Sequence, residues 1–240
     1  MKIILPMAGN GSRFFEAGYD KLKPLIDVNG KPMFVRVLEN IKYGTDIHVI
    51  VRRDHVEQFN IAEEVTAACP DAVVYILEEP TEGAACTVLK AVDAMSDDGF
   101  LVANCDQLML WDKQEFFDKS FFNLAGTIMT FESDYKEAIH SYVTQDEYGY
   151  MTELKEKVKI SDTATVGVYH FGSQKKFAEA AALMMKENDR TNGEFYLAPV
   201  YNYMTDPVKL HPIQKMIGLG TPAELDALKA SEWWDRLDEL

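Results

Sequence analysis

Through the first half of the chain, short apolar runs alternate with stretches of helical period. Ile3, Ile4 and Leu5 form a run that predicts a buried strand over Lys2 to Met7. Pro32 opens a helix in which Phe34, Val35, Leu38 and Ile41 share a face, with Gly44 as its stop. Ile47 to Val51 reads as a second buried strand. Asp54 and Glu57 are spaced as a capping box that begins a helix running to about Ala68. Ala72 to Leu77 gives a third strand, Gly83 to Met95 a helix, Phe100 to Asn104 a fourth strand and Asp112 to Phe122 a helix. Strand followed by helix, repeated, predicts a parallel sheet with helices on both faces.

After Ala125 the pattern changes. Thr127 to Phe131, Ser141 to Thr144, Tyr150 to Leu154 and Thr165 to Phe171 read as strands in quick succession, which need hairpin or meander links. Ser173 caps a helix to about Lys186, and a second helix is expected near Glu194 to Tyr203. Short strands follow near Val208 to His211 and at Met216-Ile217. Thr221, Pro222 and Glu224 then mark a capped helix start, and Trp233-Trp234 suits a docking helix in an acidic tail. The expected fold is a three-layer α/β/α with a mixed, mostly parallel central sheet. It forms one domain over 1–240, with lobes of about 1–124 and 125–240.

Charge narrows the ligand. The net charge is −15, which disfavours nucleic acid or an anionic membrane as the main partner. Yet residues 1–53 hold nine Lys/Arg against five Asp/Glu, a local +4 that suits a small anionic ligand. No apolar run approaches the ~20 residues that span a bilayer. Gly9 to Arg13 interrupts any signal-peptide core, and Cys69, Cys86 and Cys105 lack metal spacing. A reduced cytoplasmic setting is the expectation. The five histidines are scattered without ligand spacing.

The chemistry concentrates just after the first strand, in Met7-Ala8-Gly9-Asn10-Gly11-Ser12-Arg13, followed by Lys23-Pro24-Leu25. Gly9 and Gly11 let backbone N–H groups approach a ligand. Arg13 adds a planar cationic fork and Lys23 a compact ammonium. A Walker A loop is excluded by the absence of Gly-Lys-Ser/Thr, and a dinucleotide fingerprint by Phe14 in place of the third glycine. Gly-x-Gly-x-Arg with a downstream Lys-Pro-Leu resembles the signature of the nucleotidyltransferases that join a nucleoside triphosphate to a sugar 1-phosphate. Pro6-Met7 and Leu22 depart from that signature.

The resemblance covers nearly the whole chain. It implies a glycosyltransferase-A-like fold with a Rossmann-like nucleotide half, and a nucleotide-binding lobe ahead of an acceptor-binding lobe. Arg13 and Lys23 would be catalytic. Met7 to Ser12, Glu79, Gly83 and Ala84 would bind the nucleotide. Asp106, just beyond the fourth strand, would hold Mg²⁺. Gly149, Glu156, Lys157 and Glu194 would line the acceptor. Relatives carry a second metal-binding Asp where this chain has Gly218, so either one carboxylate suffices or another substitutes.

The expected partners are therefore a nucleoside triphosphate and a small phosphorylated acceptor, with no nucleic acid and no membrane; a homo-oligomer stays open. The expected reaction gives a nucleotide sugar and pyrophosphate, a polysaccharide precursor in the commonest setting of similar chains. The alternatives are a cytidylyltransferase acting on a non-sugar phosphate such as phosphocholine, and a non-catalytic nucleotide-binding protein. A glycosyltransferase on the same fold would have Asp-x-Asp, whereas Asn104-Cys105-Asp106 has Asn first.

Overall fold

A computed structural model describes residues 1–42, 46–92, 99–119 and 124–240. In chain order the elements are β1 (Lys2–Pro6), α1 (Ser12–Glu16), a 3₁₀ turn (Lys23–Leu25), β2 (Asp27–Val28), β3 (Lys31–Pro32), α2 (Met33–Ile41), β4 (Asp46–Arg52), α3 (Arg53–Phe59), α4 (Ile61–Ala68), β5 (Val73–Leu77) and α5 (Ala84–Val92). They continue with β6 (Phe100–Ala103), β7 (Gln107–Leu110), α6 (Lys113–Lys119), β8 (Gly126–Glu132), β9 (Ser141–Gln145), β10 (Met151–Glu156), β11 (Thr163–Phe171) and α7 (Gln174–Lys186). A 3₁₀ segment (Ala198–Tyr203), β12 (Val208–Pro212), β13 (Lys215–Gly218), α8 (Pro222–Lys229) and a last 3₁₀ segment (Trp234–Glu239) complete the described chain.

The central sheet is mixed and joins both halves of the chain. β5, β4, β1 and β6 lie side by side and parallel. β11 pairs antiparallel with β6, then carries β9–β10 on one side and β8–β12 on the other. Alternation along β1 shows why helices cover both faces. Ile3 and Leu5 are fully buried against α2, α4 and α8 through Phe34, Ile61 and Leu225, whereas Ile4 packs towards α5 and α7 through Val88 and Phe177. Each such aliphatic side chain contributes about 1.5–3 kcal/mol by leaving water. The three-layer arrangement and mostly parallel sheet expected from the pattern are the observed ones.

Several local expectations fail for identifiable reasons. The helix expected from Asp54 to Ala68 is two helices, because Asn60 takes a left-handed φ of 52° between α3 and α4. The capping box does not form. Asp54 lies inside the first turn of α3 and accepts from Arg52 Nε at 2.9 Å, and the cap position is Arg52. The helix expected from Glu194 is a tight turn bridging Thr191 and Glu194, with Asn192 and Gly193 at φ 50° and 81°, followed by the Pro199-containing 3₁₀ segment. β7 and the β2–β3 hairpin were not legible as strands. The expected stop at Gly44 and the far ends of the helices expected to reach Met95 and Phe122 lie outside the described residues. Thr221 and Ser173 do cap α8 and α7, each accepting a backbone N–H three residues on. Trp233 and Trp234 pack on the α2 side of the core, where Arg36 pairs with Asp238 at 2.6 Å. No helix among the described residues is long and apolar enough to cross a membrane.

Candidate active site

Ligands of open α/β sheets bind beyond the carboxyl ends of the strands. Here those ends deliver Met7 after β1, Arg52 at the end of β4, and Asn104 to Asp106 after β6. Asn104 borders four adjoining hollows, so they form one continuous cleft. Its largest part, about 490 Å³, is lined by Arg13, Asp106, His140, Lys157, Gly218 and Glu224.

The glycine loop and the Lys-Pro-Leu segment meet in this cleft. Gly11 sits at φ 64°, and a Cβ there would lie 3.2 Å from Lys23 Cβ, so a side chain would push the two segments apart. Lys23 Nζ donates to Asp106 Oδ2 at 2.7 Å, with both side chains about one-fifth exposed. Burial alone would lower the lysine pKa, but the Asp106 carboxylate outweighs it and holds Lys23 charged above its ordinary value. Cys105, beneath them, has its thiol pushed up to about 11 by burial. It is an inert packing group.

In one part of the cleft, Ala8, Gly9, Asn10, Arg52, Thr81, Gly83, Ala84 and Glu194 form a hollow. Arg52 donates to the Ala8 carbonyl at 3.3 Å and to the Asn10 side chain, which fixes the loop. Gly83, at φ 141°, lies against the Phe195 backbone, where Phe195 N–H donates to Glu82 O at 2.8 Å and Ala85 N–H to Phe195 O at 3.1 Å. Two chain segments far apart in sequence thus share one wall.

Adjoining this hollow through Ala84 and Asn104, a second hollow is lined by Glu156, Lys157, Tyr196 and His140. Lys157 takes a left-handed φ of 53°, and its Nζ lies 2.5 Å from the Tyr196 hydroxyl and 4.6 Å from that ring's centroid. Burial raises the Glu156 pKa, while the Ser141 hydroxyl and Lys157 oppose the shift. His140 Nε2 is buried among the described residues without a hydrogen-bond partner. Burial lowers its pKa against the pull of Glu224 and Asp106.

Of the residues singled out from the sequence, the cleft gathers Met7 to Asn10, Gly11, Arg13, Lys23, Gly83, Ala84, Asp106, Glu156 and Lys157. Glu194 borders the hollow that holds Gly83 and Ala84, and Tyr196, two residues on, accepts from Lys157 Nζ in the adjoining one. Ser12 opens α1 behind Gly11 and lines none of the four hollows. Glu79 is exposed and also borders none of them. Gly149 stands in the β9–β10 turn, where its carbonyl accepts from Leu210 N–H and a Cβ would lie 3.1 Å from Lys209 Nζ. Asn104, Arg52, His140 and Glu224 were missed. Position at a strand's carboxyl end could have flagged the first two; no sequence signal places His140 or Glu224 beside Asp106.

The donor set suits a hard divalent ion. A cation, the Lys23 ammonium, already sits on Asp106, and the Glu224 carboxylate fills the space that a Cβ on Gly218 would take. No group of three or more His, Cys, Asp or Glu side chains among the described residues converges on one point. Asp106 and Glu224, which line the largest part of the cleft, could hold a hard cation of the kind usually bound by one or two carboxylates together with substrate phosphates.

Comparison with known proteins identifies the family and the fold. The chain is 28% identical over 220 residues to the bifunctional protein GlmU of Pediococcus pentosaceus, covering 85% of this chain but 43% of that protein. It therefore spans under half the length of that curated relative. The nucleoside-diphosphate-sugar pyrophosphorylase of Vibrio cholerae RC9 superimposes with a TM-score of 0.80 at 25% identity, covering 95% of this chain and all of that one. The inositol-1-phosphate CTP transferase of T. maritima shares the fold, with a TM-score of 0.78 at 15% identity over 99% of this chain and 96% of that one. Residues 1–203 match the profile of the nucleotidyl transferase family, to which this chain belongs.

Proposed function

We propose that the chain transfers a nucleotidyl group from a nucleoside triphosphate to a small phosphorylated acceptor, a sugar 1-phosphate first among candidates, in the cytoplasm. The observation that carries the reading is that Arg13, Lys23 and Asp106 border one connected cleft whose adjoining hollows differ in chemistry. One hollow, at Gly83, Ala84 and Thr81, suits a flat base; another offers Lys157 to an anion. This supports a nucleotide-binding lobe over about 1–124 and an acceptor-binding lobe over about 125–240.

In the reaction, an acceptor phosphate oxygen attacks the α-phosphorus, the bond from that phosphorus to the bridging oxygen breaks, and pyrophosphate leaves. A phosphate monoester has its second pKa near ~6, so the nucleophile needs no general base at neutral pH. The protein's task is alignment and charge neutralisation. Arg13 and the Gly9 to Ser12 backbone would hold the β- and γ-phosphates. Lys23 would meet the α-phosphoryl group, and Lys157 the acceptor phosphate. Asp106 would hold Mg²⁺, which when bound supplies positive charge to the phosphate oxygens.

A pyrophosphate-release screen of four triphosphates against glucose 1-phosphate, N-acetylglucosamine 1-phosphate, inositol 1-phosphate and phosphocholine tests the reading. Release that depends on a sugar 1-phosphate supports it. Release with phosphocholine alone moves the acceptor to a non-sugar phosphate. Triphosphate binding with no release from any pair refutes catalysis.

A further inference from the structure

From the packing around Gly218 and Gly220, we propose that Glu224 supplies the second carboxylate of the divalent-cation site, from the first turn of α8. This deepens the proposed function and rests on its assignment of Asp106 to the cation.

The tertiary structure brings α8 to this point. β13 pairs antiparallel with β7, setting Gly218 opposite Gln107, and Leu219 N–H donates to the Asp106 carbonyl at 2.7 Å. The chain then turns through Gly220 into α8, whose Thr221 cap aims the Glu224 side chain back across the turn. A Cβ on Gly218 would overlap Glu224 Oε1 and lie 2.8 Å from its Cδ. The carboxylate therefore stands where a side chain at position 218 would begin. A Cβ on Gly220 would lie 3.2 Å from Asp106 Oδ2 and 3.4 Å from Glu224 Oε2, so both carboxylates border one point, left open because position 220 has no side chain.

Two further observations point to a cation there. Glu224 is half-buried in the cleft and, among the described residues, no ion pair engages it; its hydrogen-bond donor is the Thr221 hydroxyl at 3.0 Å. Asp106 already attracts the Lys23 ammonium. A hard divalent ion at that point could take an oxygen ligand from each carboxylate. An ion held by Asp106 would compete with Lys23 for that carboxylate. Glycine at 218 is then no loss of the site: the second ligand comes from a helix turn rather than from the strand.

The test is Mn²⁺ binding to the full chain, read as loss of the free-ion paramagnetic resonance signal, with thermal melting in parallel. Glu224→Gln keeps an oxygen for the Thr221 hydroxyl, so the melt should match the native chain. Its Mn²⁺ affinity should fall by about tenfold or more, as Asp106→Asn should, since even partners of metal ligands cost ~10–100-fold. The double variant Gly218→Asp/Glu224→Ala clears the overlap and should recover most of the lost affinity. Native affinity in Glu224→Gln beside loss in Asp106→Asn overturns the proposal and reduces Glu224 to a helix cap, leaving the nucleotidyl-transfer reading intact. Native affinity in both variants, or no uptake by the native chain, overturns the site, while pyrophosphate release judges the transfer reading separately.

Discussion

Gly83→Ala should cost stability out of proportion to one methyl group. The residue has a φ of 141°, and an added Cβ would overlap the Phe195 carbonyl oxygen and lie 2.6 Å from its nitrogen. These are backbone atoms, so no rotamer change relieves the contact. Relief requires parting the two segments that hold Phe195 N–H on Glu82 O and Ala85 N–H on Phe195 O. Losing two net hydrogen bonds costs ~1 kcal/mol each, and a non-glycine residue held in this backbone region adds ~1–3 kcal/mol. The sum, about 3–5 kcal/mol, is a large fraction of the ~5–15 kcal/mol that holds a typical domain. Urea unfolding followed by tryptophan fluorescence measures it, with Gly9→Ala as control. Nothing lies within 4 Å of a Cβ on Gly9, so its midpoint should stay within about 0.5 kcal/mol of native. If Gly83→Ala melts with the control, the reasoning from close backbone approach is wrong.

Lys23→Ala should slow pyrophosphate release by ~30–1,000-fold, the ~2–4 kcal/mol of one preorganised charge. The stability loss should stay near ~1 kcal/mol, because the pair with Asp106 is partly exposed; unchanged turnover would remove Lys23 from the mechanism. Lys157→Met should raise the acceptor KM by about tenfold or more, the ~1.5–3 kcal/mol of a charge-assisted hydrogen bond, while triphosphate binding measured by calorimetry stays native. A rise in the triphosphate Kd instead would reverse the assignment of the two hollows. Acid should also destabilise the fold through His170, whose pKa burial lowers from 6.5 to about 3. The unfolded chain takes up that proton first, so this contribution is whole above pH 6.5 and is lost as pH falls towards 3, by at most ~1.4 kcal/mol per unit. Urea midpoints between pH 7 and 5 should fall less steeply in His170→Asn, and equal slopes would refute the assignment.

Local patterns along the chain specify the layers and the chemistry of the loop. Ile3, Ile4 and Leu5, the period of α2, and the spacing of Gly9, Gly11, Arg13 and Lys23 are local patterns, written in adjacent residues. Alternation and helical period depend on near neighbours, so they survive without knowledge of the fold. Pairing across distance comes only from the folded chain. It split the helix at Asn60, turned the expected helix at Glu194 into a hairpin-like turn against Glu82, and set Glu194 in the hollow beside Gly83 and Ala84. It set Gly149 in a turn against Lys209. It also put Glu224, legible in sequence only as a capping residue, beside Asp106 through the β7–β13 ladder. Which carboxylates face one another is fixed by strand register between segments over a hundred residues apart, and no local pattern encodes that register.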